Sequence, residues 1–502
     1  MLITILVYLA AMVGIGAVLA KQNQTTDDFY LGGRTLGPLV TAMSAEASDM
    51  SSWLLMGLPG VAYLSGTADA AWTAIGLAIG TYVNWLVVAK RLRNYTHVCG
   101  NSTTLPLFFS NRYRDNKRIL SVIAALLIII FFVPYTASGF AACGKLFANL
   151  FGMDYLPAML ISAIVIVAYT TLGGFLAAST TDFVQSIVMT IAIVVVFGFG
   201  ISKVGSFQAV MDNAKSMAGY FSLTHTHDVA TATASPYSLL QIFSTLAWGL
   251  GYFGMPHVLL RFMAIGDANK LKLSRRVATV WVVISMAVSV FIGVIGNAMT
   301  KAGVLPTLKD PETIILVVSD LISKHGVLAT IIAGLILAGI LAATMSTADS
   351  QLLAASSSAS QNILKEVFMK DMSEKTGMLI ARITVLVIAL IGVFIARNPD
   401  SSVFQIVSFA WAGFGASFGP LVLLALFWKR STFQGALCGM VSGGVMVFVW
   451  KFLIRPMGGA LGIYELLPAF LLGLAVNVIV SLLTPAPSRE VQDEFDKVAS
   501  MK

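Results

Sequence analysis

Met43-Ser44-Ala45-Glu46-Ala47-Ser48-Asp49-Met50-Ser51-Ser52, running on to Gly57-Leu58-Pro59-Gly60, decides the fold. It lies inside a stretch apolar enough to cross a bilayer, yet it carries carboxylates, hydroxyls, glycine and proline where an ordinary span would be aliphatic. A second interrupted run, Trp248-Gly249-Leu250-Gly251-Tyr252-Phe253-Gly254-Met255-Pro256-His257, breaks a later span. Membrane helices hold more glycine and proline than soluble ones, so either run alone reads equally well as a kink. The pair is harder to explain that way. Five spans apart, they occupy equivalent places in two halves, which is the sequence mark of a transporter binding site.

Composition agrees with a lipid solvent. Of 502 residues, 57% are hydrophobic and 11% charged, too little polar surface for a water-facing globule. Apolar runs of about 20 residues recur along the chain, and none shows the alternation of a membrane β-barrel, so helices are the remaining solution. Expected spans are near 2-20, 38-64, 69-89, 119-148, 155-174, 181-203, 237-260, 277-300, 327-353, 376-396, 402-428, 432-453 and 464-484, about thirteen in all. The expected fold class is therefore an all-α polytopic membrane protein. It divides into a first helix and cytoplasmic loop (1-37), a first inverted repeat (38-204), a second (205-428), and two further helices with a cytoplasmic tail (429-502).

The net charge of +8 does not call for nucleic acid, because the cations sit in loops. Lys90, Arg91, Arg93, Arg112, Arg114, Lys117 and Arg118 follow the third span, and Arg261, Lys270, Lys272, Arg275 and Arg276 follow the seventh. By the positive-inside rule these loops are cytoplasmic, with Lys365, Lys370 and Lys375 on the same side. That sets the N-terminus outside and the C-terminus in the cytoplasm. Cys99, Cys143 and Cys438 form neither a disulfide framework nor a metal spacing. No nucleophile-base pair, HExxH or phosphate loop is present, which removes the support for an enzyme. Nothing points to an obligate protein partner, and a sensor reading lacks an output domain. A channel would favour a continuous polar stripe rather than polar residues gathered at breaks.

Asp49 lies within a span, where a carboxylate costs at least ~2.5 kcal/mol unless it faces protein, water or a cation. It reads as a functional residue or as a structural carboxylate held by hydrogen bonds. Glu46, three residues earlier, shares roughly that face. Asp182, in Thr180-Thr181-Asp182, reads as a helix N-terminal acid or as part of a second ion route, and Asp349, after the hydroxyl cluster of the ninth span, as a candidate for the same route. Ala342-Ala343-Thr344-Met345-Ser346-Thr347 offers neutral oxygens to a hard cation, although paired hydroxyls in membrane helices commonly bond their own backbone.

These residues are recognisable. Leu31-Gly32-Gly33-Arg34, Ala47-Ser48-Asp49-Met50-Ser51 with Trp53 to Gly60, Gly173-Gly174-Phe175-Leu176-Ala177, Trp248 to His257 and Met345-Ser346-Thr347 resemble the sodium:solute symporter family, and within it the bacterial sodium:proline symporters. The resemblance covers nearly the whole chain. It implies a thirteen-helix fold with a five-plus-five inverted repeat in a bacterial inner membrane, and import of L-proline or a similar small zwitterion together with Na+, without an organic cofactor. It implies a sodium site of the Ala47, Met50 and Ala343 carbonyls with the Ser346 and Thr347 hydroxyls, supported by Asp49. Ser51, Tyr135, Trp248, Tyr252 and Pro256 match positions lining the solute pocket. Arg34 matches a cytoplasmic gating residue, and Asp182 belongs to gating or a second ion route. Two departures stand out: Glu46 replaces a small residue, and Met255 stands where Gln is usual. The alternative is another small amino acid or a carboxylate as solute.

Overall fold

The computed structural model describes residues 1–21, 25–369, 372–398 and 402–501; Lys370 lies outside them. Ten helices among the described residues are long and apolar enough to cross a bilayer, from Leu2–Ala20 to Leu466–Leu483. Three further apolar segments fall where spans were expected. Tyr155–Ala168 is shorter, and the runs over 38–65 and 239–264 are interrupted. The expected count of thirteen rests on reading those three as crossings too.

Each interruption has a local cause. In the first broken helix, Ser51 takes φ 51° and ψ −172°, which ends Pro38–Ser52 as a regular helix and starts a second piece toward Leu58–Ser65. A positive φ is costly for a residue with a Cβ, so the surroundings must hold it. In the second, Leu239–Leu246 passes into a 3₁₀ stretch, Ala247–Gly254, before Pro256–Ala264 resumes. Proline without an N–H suits the first position of that restart. A third break, at Gly174 (φ 61°), divides Tyr155–Val204 into the two expected spans. This corrects the reading of Asp182 as a helix N-terminal acid. The second piece begins just after Gly174, so Asp182 lies about two turns inside it.

The other expectation that changes concerns the cations. Arg261 was counted with the loop after the seventh span, yet it belongs to Pro256–Ala264 and is 1% exposed. Arg112 is equally buried, its guanidinium bonding the Ala425 carbonyl through Nε and lying over the Tyr95 and Phe495 rings. Phe495 comes from the tail, which folds as an amphipathic helix, Arg489–Ser500, burying Val491, Phe495 and Val498. On the other side, the connection after residue 204 forms a short helix, Phe207–Ser216, and a hairpin pairing His225–Asp228 with Thr233–Pro236. Tyr220 anchors it by donating its hydroxyl to the Ala62 carbonyl at 2.7 Å.

Candidate ion and solute site

Breaking a helix in lipid frees carbonyls that must find donors. Around Ser51 they find them on other helices. Ser346 Oγ, from Val327–Ser357, donates to the Ala47 carbonyl at 2.8 Å and also reaches the Ala343 carbonyl at 3.2 Å. Thr347 Oγ1 donates to that same Ala343 carbonyl at 3.1 Å. Tyr135 donates its hydroxyl to the Asp49 carbonyl at 3.2 Å, and the Ser51 hydroxyl accepts from the Trp53 N–H at 3.0 Å. The structure thus brings together the oxygens of Ala47, Ala343, Ser346 and Thr347. The Met50 carbonyl accepts from the Trp53 N–H. A hydroxyl pointing at a carbonyl can turn its lone pair outward, so this is a cluster of neutral oxygens able to share one hard cation.

Asp49 sits beside it, 5% exposed, with Oδ2 accepting from the Tyr252 hydroxyl at 2.6 Å and Oδ1 without a partner among the described residues. Tyr252 therefore links the two broken helices through Asp49. The 3₁₀ stretch carrying Tyr252 is held by its own substitute donors: Trp411 Nε1 donates to the Trp248 carbonyl at 2.8 Å and Asn84 Nδ2 to the Tyr252 carbonyl at 3.0 Å. Gly251 permits the first of these, because a Cβ there would lie 2.0 Å from Trp411 Nε1. Gly251→Ala is accordingly expected to displace the Trp411 ring. Overpacking of this kind costs about 1–3 kcal/mol, visible as a lower melting temperature of the purified protein.

Beside the oxygens lies a small cavity of about 10 Å³, room for about one water, lined by Asp49, Met50, Trp53, Leu77, Tyr135, Trp248, Val407 and Trp411. Asp49, Met50, Tyr135 and Trp248 are expected site residues. Tyr252 reaches it only through Asp49, while Ser51 and Pro256 do not line it. Met255 is fully buried and is not part of the wall either. Trp53, Val407 and Trp411 were not anticipated as lining residues. The two indoles among them pack with Trp248: the Trp53–Trp248 centroids are 5.6 Å apart and the Trp248–Trp411 centroids 6.3 Å.

Toward the basic loops, a buried polar junction joins four elements. Arg261 donates from Nη2 to Asp182 Oδ2 at 3.2 Å and to the Ser350 hydroxyl at 2.5 Å, from Nε to the Ser44 hydroxyl at 3.0 Å, and from Nη1 to the His257 carbonyl. Ser44 in turn donates to Asp182 Oδ2 at 2.6 Å. Asp349, next to Ser350, is buried, with Oδ2 unpartnered among the described residues. Asp182 and Asp349 were singled out from the sequence; Arg261 was not, because its position at a span end looked like a topology signal. Glu46 lies apart, accepting from Trp85 Nε1 at 2.9 Å, with its other oxygen unpartnered among the described residues.

Arg34 closes the same side. After left-handed Gly32 and Gly33, its guanidinium donates to the Met263 carbonyl at 2.6 Å, the Ser102 carbonyl at 2.7 Å and Asn101 Oδ1 at 3.1 Å. Alongside it the Leu36 N–H donates to the Ala264 carbonyl, and the Leu36 carbonyl accepts from the Gly266 N–H. Burial, with Arg93 nearby, pulls Arg34 down to about 10, which leaves it charged at neutral pH.

Residues 29–443 match the model of the sodium:solute symporter family. The chain is 41% identical over 502 residues to the sodium/proline symporter of Haemophilus influenzae, covering 99% of this chain and 97% of the relative. It is 40% identical over 489 residues to the osmoregulated proline transporter OpuE of Bacillus subtilis, covering 97% and 96%. Among solved structures, the substrate-bound outward-open state of a Na+-coupled sialic acid symporter superposes with a TM-score of 0.78 over 97% of this chain and 98% of that one, at 18% identity. That likeness is one of fold, and it is the all-helical membrane fold expected from the two interrupted runs. By family model and by full-length relatives, this chain belongs to the sodium:solute symporter family.

Proposed function

We propose that the chain imports L-proline together with sodium by alternating access, in a bacterial inner membrane, with its N-terminus outside and its C-terminus in the cytoplasm. The observation that carries the ion assignment is the junction at Ser346, where a hydroxyl of one half meets the Ala47 carbonyl freed by the break in the other. The sodium ligands in this reading are the carbonyls of Ala47, Met50 and Ala343 and the hydroxyls of Ser346 and Thr347, with Asp49 supplying net attraction. Neutral ligands bind a cation modestly, which suits an ion released in every cycle. The solute assignment is supported by relatives named as proline transporters and by the aromatic wall of Tyr135, Trp248 and Trp411 beside Asp49. A compact apolar ring fits such walls, and the freed backbone groups at the breaks suit an ammonium and a carboxylate.

The repeats in this reading are 38-204 and 205-428. Asp182 and Arg34 then serve closure on the cytoplasmic side: Arg34 ties the loop before the first repeat to Met263 in the second, and Asp182 with Ser44 ties the first repeat to Arg261 in the second. A second cation route past Asp182 and Asp349 is the competing role. One sodium suffices energetically, since ~100 mV contributes ~2.3 kcal/mol and a tenfold gradient ~1.4 kcal/mol more, enough for accumulation of several hundredfold.

Proline uptake into proteoliposomes should be electrogenic and collapse when sodium is replaced by choline at matched pH and potential. Equal uptake in choline would exclude sodium coupling. Competition by alanine, betaine and pantothenate decides the solute: if one of them competes and proline does not, a different small solute is the cargo.

A further inference from the structure

Glu46 belongs neither to the sodium oxygens nor to the Arg261 junction, yet it is a carboxylate inside the broken helix Pro38–Ser52, one turn before Asp49. Side chains three apart share one face of a helix. The partners of these two lie side by side as well: Glu46 Oε1 accepts from Trp85 Nε1 at 2.9 Å and Asp49 Oδ2 from the Tyr252 hydroxyl at 2.6 Å, while Asn84, next to Trp85, donates to the Tyr252 carbonyl. Thr81 completes the group. It lies four residues before Trp85, at the end of the helix Thr67–Val83, and its hydroxyl faces that of Tyr252. Thr73 in the same helix returns its hydroxyl to the Asp69 carbonyl four residues back, at 2.8 Å, but Thr81 makes no such bond.

Three oxygens at this junction are buried and unpartnered among the described residues: Glu46 Oε2, Asp49 Oδ1 and Thr81 Oγ1. Glu46 and Thr81 are each 1% exposed. Among the described residues neither carboxylate is paired with a Lys, Arg or His, and Arg261, the buried cation of the second broken helix, is spent on Asp182. Two carboxylates turned one way inside a membrane, with no cation supplied by the protein, call for one from solution. Carboxylate and hydroxyl oxygens are the ligands of a hard metal ion, whereas a proton would need only one of them. The first sodium site looks elsewhere. Ala47 and Ala343 meet Ser346 and Thr347 on Val327–Ser357, while Glu46 and Asp49 turn to Trp85 and Tyr252.

We propose that Glu46 Oε2, Asp49 Oδ1, Thr81 Oγ1 and the Tyr252 hydroxyl hold a second sodium ion between the two broken helices, carried with the first, so that two sodium ions accompany each solute molecule. The proposal rests on the reading of the chain as a sodium-coupled carrier. The site follows from the departure at Glu46, where the resemblance implies a small residue.

Equilibrium binding of radioactive sodium to the purified full-length protein counts the ions without turnover. The parent is expected to bind two per chain and Glu46→Gln one, since glutamine keeps the shape and the acceptor for Trp85 but removes the charge. Thr81→Val should weaken one of the two about tenfold, the order of one lost ligand to a charge. Coupling is read in proteoliposomes held at zero potential and equal pH, as the opposing proline gradient that halts net uptake under an about tenfold sodium gradient. Two ions per proline balance about a hundredfold gradient and one ion about tenfold. The parent should halt near the first value and Glu46→Gln near the second. One sodium bound by the parent, two still bound by Glu46→Gln, or unchanged sodium binding in Thr81→Val would each overturn the site. So would a parent that halts near tenfold, or a halting gradient that follows an imposed pH difference, which would assign Glu46 to a proton. A parent without sodium-dependent proline uptake would instead defeat the functional reading, and the binding count would still decide the site.

Discussion

Thr347→Val raises the sodium concentration for half-maximal proline uptake by about ten- to hundredfold, while protein abundance stays normal. Valine keeps the shape of threonine and deletes one oxygen. A hydrogen-bond-like contact to a charged group is worth about 1.5–3 kcal/mol, which converts to that range of affinity. The fold does not need the hydroxyl, because Thr347 Oγ1 only returns to the Ala343 carbonyl four residues back in its own helix. Bonds of that kind neither build nor hold a helix. Thr347→Ser keeps the oxygen and shifts the half-maximal concentration little. Ser346 is the contrasting case, since its bond to Ala47 crosses between helices, so Ser346→Ala costs both sodium affinity and stability. If Thr347→Val takes up proline with unaltered sodium dependence, the hydroxyl pair is structural only.

Arg261→Met is expected to lose most of the folded protein. Among the described residues the guanidinium is the one cation paired with Asp182, and both are essentially without exposure. Removing one partner of a buried ion pair costs about 3–5 kcal/mol, because the other charge is left without compensation. That is a large part of the 5–15 kcal/mol typical of a folded domain. The Ser44 and Ser350 hydroxyls each lose a donor as well, keeping only their own bonds to Asp182 and Asp349. Adding Asp182→Asn to Arg261→Met should restore abundance, measured as folded monomer on gel filtration, by removing the orphaned charge. Uptake should remain impaired, because the double variant still lacks the link between Ser44, in the first repeat, and Ser350 and His257 in the second. Full recovery of both would show that the junction serves stability alone; no recovery of abundance would place the main burden on Asp349 instead.

The two predictions differ in how visible their residues are in the sequence. Ser346 and Thr347 can be picked out because adjacent hydroxyls in a run of Ala, Leu and Ile are chemically conspicuous, and the breaks beginning at Met43 and Trp248 because Gly, Pro and carboxylate residues interrupt an apolar period. Lipid makes such departures costly, so they stand out along the chain without knowledge of contacts. Arg261 is the opposite case. A cation near the end of a span is what the positive-inside rule expects in a loop, and nothing in its neighbours distinguishes a solvated arginine from one sealed against Asp182. The identity of its partner, 79 residues earlier, is a property of the packing.

The same division holds for the wall of the cavity. Trp248, Tyr135 and Asp49 lie in or near recognisable runs, whereas Trp411 and Val407 come from a helix, Val403–Phe427, whose composition is that of any buried span. What selects Trp411 is the Trp248 carbonyl left free by the 3₁₀ stretch, together with the missing Cβ of Gly251 that lets the indole approach. The sequence by itself determined the solvent, the helical class, the places where helices break and the residue types able to hold a cation, because each follows from the cost of putting a given group in hydrocarbon. Only the tertiary structure decided which carbonyl meets which hydroxyl, that Asp182 is answered by Arg261, and that Trp411 stands against the Trp248 carbonyl. Those depend on distances between segments far apart in the chain, and the pattern along the chain carries no information about them.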